Sequence, residues 1–299
     1  MISMPQDGNS IQQPGRPVLL WWGRSDLGYS RNAIIRQCFE SLGWTIRDYR
    51  PWVSRLGHWQ AAVPGASPNL PADLVWVPCF RQRDIEAAKR FASRSGTPLC
   101  IDPLISSYDK QVDERGKFSA QSAAAQRLRG WESALFSSAD RVVADTDDHA
   151  QFFVRKLFVD PARIVVIPVG ADESMFKPTP QAPTDGNLQV LFYGSFLALQ
   201  GPQYIVQAAQ RVQAPNVRIT LLGDGPLRAQ CVIDAGTCER LRFEPWIDYA
   251  SLPARIAQAH LLLGVFGTTP KAGRVIPNKV YQALASARAV VTRDSPAYP

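Results

Sequence analysis

The chain has 299 residues, 45% of them apolar and 20% charged, a soluble globular composition with length enough for two domains that each bury a core. A net charge of +7 suits an anionic partner such as nucleic acid, anionic lipid or a phosphorylated small molecule, but the arginines are scattered among acids without a basic run or an aromatic platform, so nucleic acid is set aside. No apolar run approaches the roughly 20 residues of a membrane span, the polar start MISMPQDGNSIQQPGRP lacks a signal-peptide core, and the five cysteines, with no C-x-x-C pair, read as reduced and structural, all of which points to the cytoplasm.

Residues 1–16 form a polar arm. The run Pro17 to Trp22, PVLLWW, is a buried-strand candidate that leads through GRSDLGYSRN into a helix carrying Ile34, Ile35, Cys38, Phe39 and Leu42 before Gly43 stops it. Arg24 and Arg31 in that connection are either ligand donors or solvated side chains of an ordinary βα loop. Residues 54–71 are rich in Gly, Pro, Ser and Ala and read as an irregular excursion. Strand runs at Leu74 to Val77 and Pro98 to Ile101 flank a charged helical stretch, Gln82 to Arg94. The polar segment Asp102 to Lys110 follows at another carboxyl edge, where Asp102 and Asp109 either touch substrate hydroxyls or make capping and loop hydrogen bonds. A helix from Ala124 to Phe136 precedes the strand Arg141 to Ala144 and the run Asp145-Thr146-Asp147-Asp148-His149. Taken alone, its D-x-D invites a divalent metal. Capping of the helix that carries Phe152, Phe153 and Leu157 is the preferred account, and no metal is expected.

The strand Ile164 to Ile167 and the segment PVGADESMFKP close the first half, and 179–187 is a linker by composition. Then come the strand Val190 to Tyr193, the loop Gly194 to Gly201, a helix begun by Pro202, the strand Val217 to Leu222 and the turn Gly223-Asp224-Gly225-Pro226. Together they make one βαβ unit, whose right-handed crossover puts the glycine loop at the carboxyl edge of a parallel sheet, where ligands bind. Farther on lie Phe243 to Trp246, a short helix with Leu252 and Ile256, and an apolar strand from Leu261 to Phe266. The segment GTTPKAGRVIPNKVYQALASARAVVTRD follows. Asn278 and Lys279 stand near the start of its helix, whose free N–H groups suit a diphosphate, with Arg274 and Lys279 adding charge-assisted bonds.

The ordered motifs resemble those of family 4 glycosyltransferases. The resemblance rests on Gly194, Gly201 and Gly223 to Pro226 in the βαβ unit, on the stretch Asp102 to Asp109, and on Pro168, Gly170, Asp172, Phe176 and Pro178 as P-x-G-x-D-x-x-x-F-x-P. It implies the GT-B fold, an α/β architecture of two Rossmann-like doubly wound domains facing a cleft: an acceptor-side domain over 17–178 and a nucleotide-sugar domain over 188–299. It also implies transfer of a sugar from a nucleotide diphosphate sugar to a glycan or lipid acceptor, with retention and with no metal or other cofactor. The setting would be polysaccharide, lipid-linked oligosaccharide or glycolipid synthesis, with brief docking on the inner membrane. Gly194, Ser195, Gln200, Gly223, Asn278 and Gln282 are the implied donor-binding positions, and Arg24, Arg31, Asp102 and Asp109 the acceptor or phosphate side.

The chain departs from that family at four positions: Ser195 and Gln200 stand where an Arg and a Lys are expected, and Arg274 and Gln282 where two glutamates are. Relocation of the charge to Arg274 and Lys279, as the catalytic pair, is preferred over a protein that binds a nucleotide sugar with weak or no transfer, and over loss of function. A nicotinamide protein would need G-x-G-x-x-G, and both Gly23-Arg24-Ser25 and Gly194-Ser195-Phe196 lack the second glycine. Because the resembled domain continues through further αβ elements, the second domain reads as incomplete, and the chain as the front portion of a longer protein that is weakly active and aggregation-prone alone.

Overall fold

The computed structural model describes residues 15–62, 71–180 and 186–299. Most of the polar arm, much of the excursion and the centre of the linker therefore lie outside the described residues.

The first half alternates strand and helix: β1 (Val18–Trp22), α1 (Ser30–Ser41), β2 (Thr45–Tyr49), α2 (Gly57–Gln60), β3 (Leu74–Val77), α3 (Ile85–Ser95), β4 (Leu99–Ile101), α4 (Ala123–Ser138), β5 (Arg141–Ala144), α5 (Asp147–Leu157) and β6 (Ile164–Val166). Its six parallel strands run in the order β2-β1-β3-β4-β5-β6. The second half has β7 (Leu188–Gly194), α6 (Pro202–Arg211), β8 (Val217–Gly223), α7 (Arg228–Ala235), β9 (Leu241–Glu244), α8 (Leu252–Ala257), β10 (Leu261–Leu263), α9 (Asn278–Ala285) and β11 (Ala289–Val291). Its five strands, also parallel, run β11-β10-β7-β8-β9. The chain thus forms two doubly wound α/β domains, the second with the smaller sheet.

Parallel sheets covered on both faces are built from near-continuous apolar strands, and the central strands here have that character. Leu20, Trp22, Val75 and Val77 pack on one face of the first sheet, and Leu19, Trp21 and Trp76 on the other. Val190, Phe192 and Leu221 take one face of the second sheet, and Leu191, Tyr193 and Leu262 the other. The strand order reverses between β7, which continues outward to β8 and β9, and β10, which returns to its opposite side. Such a switch point opens a crevice at the carboxyl ends of the strands. The loops after β7 and β10 flank it and are tied together, Phe266 N–H donating to Gln200 O at 3.0 Å and Gly267 N–H to Leu199 O at 3.2 Å.

That tie also explains why β10 stops at Leu263 although the apolar run continues to Phe266: the chain leaves the sheet to pair with the loop after β7. Gly201 is fixed there by a positive φ of 66° and by Gly267 N, which a side-chain carbon would approach to 2.6 Å. The edge strand β2 carries no apolar run, since among its residues only Tyr49 is buried. Asp109–Glu114 forms a π-helical turn. At the start of α5 the Thr146 hydroxyl accepts a hydrogen bond from His149 N–H at 3.1 Å, an N-cap at the D-x-D segment. Among the described residues no helix is long and apolar enough to cross a membrane.

Candidate active site between the two domains

A cavity of about 460 Å³ opens where the carboxyl edges of the two sheets meet. From the first domain it is lined by Tyr29 after β1, Leu104 and Glu114 after β4, and Asp145 after β5. The second contributes Gly194, Ser195 and Gln200 after β7, with Lys271, Asn278, Lys279 and Gln282 around the start of α9. A larger hollow, about 650 Å³, lies around Arg218 and Arg240. It adjoins the amino ends of β8 and β9, opposite the loops that bind ligands in doubly wound folds, so the smaller cavity is the candidate site.

Lys279 is the buried, unpaired cation of this cavity, to which the first domain adds the less buried Lys110 and Arg115. Lys279 is 6% exposed, and its Nζ is buried with no hydrogen-bond partner among the described residues. The ammonium lies 3.9 Å from the centre of the Phe192 ring and 5.6 Å from that of Tyr193, a partial offset to burial. Burial still pulls its pKa from 10.5 down to about 7, because the charged form has lost its water. Gln200 Oε1 is likewise buried and unpartnered. A side-chain carbon at Gly194 would collide with that oxygen and fall 2.9 Å from Lys279 Nζ, so glycine is what lets both head groups converge. The start of α9 has no side-chain cap, which leaves N–H groups and partial positive charge beside the ammonium. The arrangement is suited to an anion.

Gln282 is engaged within the protein. Tyr193 Oη donates to its Oε1 at 2.9 Å, and its Nε2 donates to Tyr249 Oη at 3.0 Å, so the amide uses an acceptor and a donor at once.

The profile described as "Glycosyl transferase 4-like domain" matches residues 9–170, and that described as "Glycosyl transferases group 1" matches 187–299. The chain belongs to the group 1 glycosyltransferase family. A D-inositol 3-phosphate glycosyltransferase of Mycobacteroides abscessus is 31% identical over 134 residues, 40% of this chain and 30% of that protein. One from Mycobacterium ulcerans is 29% identical over 185 residues, 54% of this chain and 39% of that protein. The matches thus span well under half of these relatives' length. Among solved structures, Anabaena HepE in complex with UDP superposes with a TM-score of 0.64 at 16% identity, covering 94% of this chain and 81% of that one. Sucrose-phosphate synthase from Thermosynechococcus elongatus gives 0.67 at 16% identity, covering 94% and 82%. The fold resembles that of the GT-B glycosyltransferases.

Within this group 1 glycosyltransferase the cavity gathers Gly194, Ser195, Gln200, Asn278, Lys279 and Gln282, all singled out in the sequence. Gly223 instead pairs with Gly194 in register, close against its carbonyl. Arg274 reaches across to the first domain: its Nη2 lies 2.5 Å from Asp109 Oδ1 and 3.9 Å from Asp113 Oδ2, and its guanidinium stacks 4.5 Å over Phe152. Its carbonyl accepts from Thr146 Oγ1 at 2.5 Å. Burial raises the pKa of Asp109 while Arg274 and Lys271 oppose the rise. Lys271, which the motifs did not flag, pairs with Glu114 at 2.5 Å. Among the described residues these are the ion pairs that join the domains.

Arg31 and Asp102 lie beneath the cavity instead of on its wall. Arg31 is fully buried, and its Nε donates to Asp102 Oδ2 at 2.7 Å while Nη1 donates to the carbonyls of Ile167 and Pro168. They form a strut joining α1, the end of β4 and the segment after β6. Arg24 donates to Pro51 O at 3.1 Å and, with Ser25, Asp26 and Arg50, lines a separate hollow of about 350 Å³.

Proposed function

We propose that the chain transfers a sugar from a nucleoside diphosphate sugar to an acceptor hydroxyl, with retention at the anomeric carbon and without a metal ion. The observation that carries this is Lys279, a buried and unpartnered cation beside an uncapped helix start in the interdomain cavity. A leaving diphosphate gains negative charge as the glycosidic bond breaks, and fixed cations and N–H dipoles stabilise that charge most where water is excluded. The UDP complex of HepE supports a uridine donor. Lys279 and Gln200 converge on Gly194, which supports relocation of the cation from the loop after β7 to α9.

The acceptor is a glycan or lipid carried near an anionic membrane. Trp52 and Trp59 are 80% and 60% exposed, beside exposed Val53, Leu56, Arg50 and Arg55, and no acidic residue occurs between Asp48 and Asp73. Amphipathic tryptophans with basic neighbours suit an anionic bilayer surface, and the patch follows the carboxyl end of β2, on the cavity edge of the first sheet. The alternative, a nucleotide-sugar-binding protein with weak or no transfer, is separated by donor-dependent glycosylation. Titration calorimetry with UDP, followed by assay of a nucleotide-sugar panel, tests the proposal; absence of both heat and transfer refutes it.

A further inference from the structure

The turn from β5 into α5 brings a second polar group to the same cavity, one that diphosphate binding leaves unused. Asp145 lines the cavity with its side chain only 3% exposed. His149, one helical turn on, holds its Oδ1 through Nδ1 at 2.5 Å. The imidazole packs against Phe153 with ring centres 4.4 Å apart, and its Nε2 is buried without a partner among the described residues. The ring is therefore fixed by packing, and its one polar contact there is the carboxylate. Thr146, between them, caps α5 and donates to Arg274 O, which pins this turn against the second domain.

Two carboxylates line the cavity. Glu114 is neutralised by Lys271. Asp145 has no Lys or Arg in ion-pair contact, and its Oδ2 accepts no hydrogen bond among the described residues. Unlike His149 Nε2, that oxygen is not sealed from solvent, so it is open to donors that enter the cavity. Phosphate would be repelled by it. Sugar hydroxyls are neutral donors that bind a carboxylate with charge-assisted strength. A nucleotide sugar has both kinds of group, and the cavity has a complement for each: Lys279 in the second domain for the diphosphate and Asp145 in the first for the hydroxyls.

We propose that Asp145 accepts hydrogen bonds from hydroxyls of the transferred sugar, and that His149 is a positioning residue that fixes the carboxylate. This rests on the nucleotide-sugar function proposed above. The experiment measures UDP affinity by calorimetry, and donor and acceptor kinetics with the nucleotide sugar the wild type uses, for wild type, Asp145→Asn, His149→Leu and His149→Asn. Asp145→Asn should cut kcat/KM for the donor by about 10- to 100-fold, the scale of a hydrogen bond to a charged group, while the Kd for UDP and the KM for the acceptor hold within twofold. His149→Leu should fall likewise, and His149→Asn, whose amide can replace Nδ1, should recover most of the loss. Wild-type donor kinetics in Asp145→Asn, a loss confined to the acceptor KM, or a parallel fall in UDP affinity would each overturn the assignment. A wild type that binds no UDP or other nucleoside diphosphate would instead overturn the proposed function beneath it.

Discussion

Replacing Lys279 by Met separates the charge from the packing, because Met fills a similar volume without an ammonium. The folded pKa of about 7, against 10.5 ordinarily, means that the unfolded chain binds more protons between those two values. Stability therefore rises with pH across that window and is lowest below it. At pH 7 the buried ammonium costs on the order of 4 kcal/mol, which relaxation and the Phe192 ring reduce. Lys279→Met should thus stabilise the free protein by about 1–4 kcal/mol and flatten its stability between pH 7 and 10. UDP affinity should move the other way, weakening by about 10- to 100-fold as a bond from a charged donor is lost. In the wild type, binding above pH 7 must recharge Lys279, so affinity should fall by up to about tenfold per pH unit with measurable proton uptake; the Met variant should show neither. Calorimetry in two buffers of different ionisation enthalpy, with thermal melts over pH 6–10, reads all of this. A Met variant that keeps the wild-type Kd, or one that melts lower, would refute the reasoning.

Arg274→Ala and Asp109→Asn should be strongly non-additive in stability, with a coupling of about 1–3 kcal/mol in a double-mutant cycle, if their contact ties the domains; additive losses would exclude that. Arg31→Met leaves Asp102 buried without its cation and should cost about 3–5 kcal/mol, most of it recovered by adding Asp102→Leu, as urea melts can check. Trp52→Ser with Trp59→Ser should abolish flotation with phosphatidylglycerol vesicles without changing the Kd for UDP. Equal flotation of the variant would remove the patch from any role in docking.

The fold was legible because a parallel sheet covered on both faces demands apolar strands, and VLLWW, LVWV and RVVA satisfy that demand almost without interruption. The edge strand β2 escaped the same logic: TIRDY buries little beyond Tyr49, so its backbone pairing left no apolar signature. The end of β10 escaped for the opposite reason, since Val265 is buried yet the chain has already left the sheet. At the site, glycine spacing and the N-K pair drew attention to Gly194, Asn278 and Lys279, which do share one cavity. Nothing local, however, distinguishes the arginine that faces the cavity from one that supports it. Arg31 finds Asp102 seventy-one positions away and Arg274 finds Asp109 at a separation of 165, contacts that only the assembled domains create.

Those long-range pairs bear on how the cavity's charge is distributed. Of the two buried lysines lining it, Lys271 is compensated by Glu114 and Lys279 is not. Arg274, a third cation near the start of α9, is spent on Asp109 and on the ring of Phe152. Each of these pairs joins a loop of the second domain to the π-helical turn or helix of the first, so the energy goes into holding the domains together across the cavity. That leaves Lys279 as the buried cation free for an anion beside the helix start, with Lys110 and Arg115 of the first domain also on the cavity wall and in no ion pair among the described residues, while Lys271 and Arg274 are bound to acids of the opposite domain. Opening the cleft would break the Asp109 and Glu114 contacts and free Arg274 and Lys271 together. Closing it would restore the contacts, so these four side chains would tie the number of cations free in the cleft to the distance between the domains.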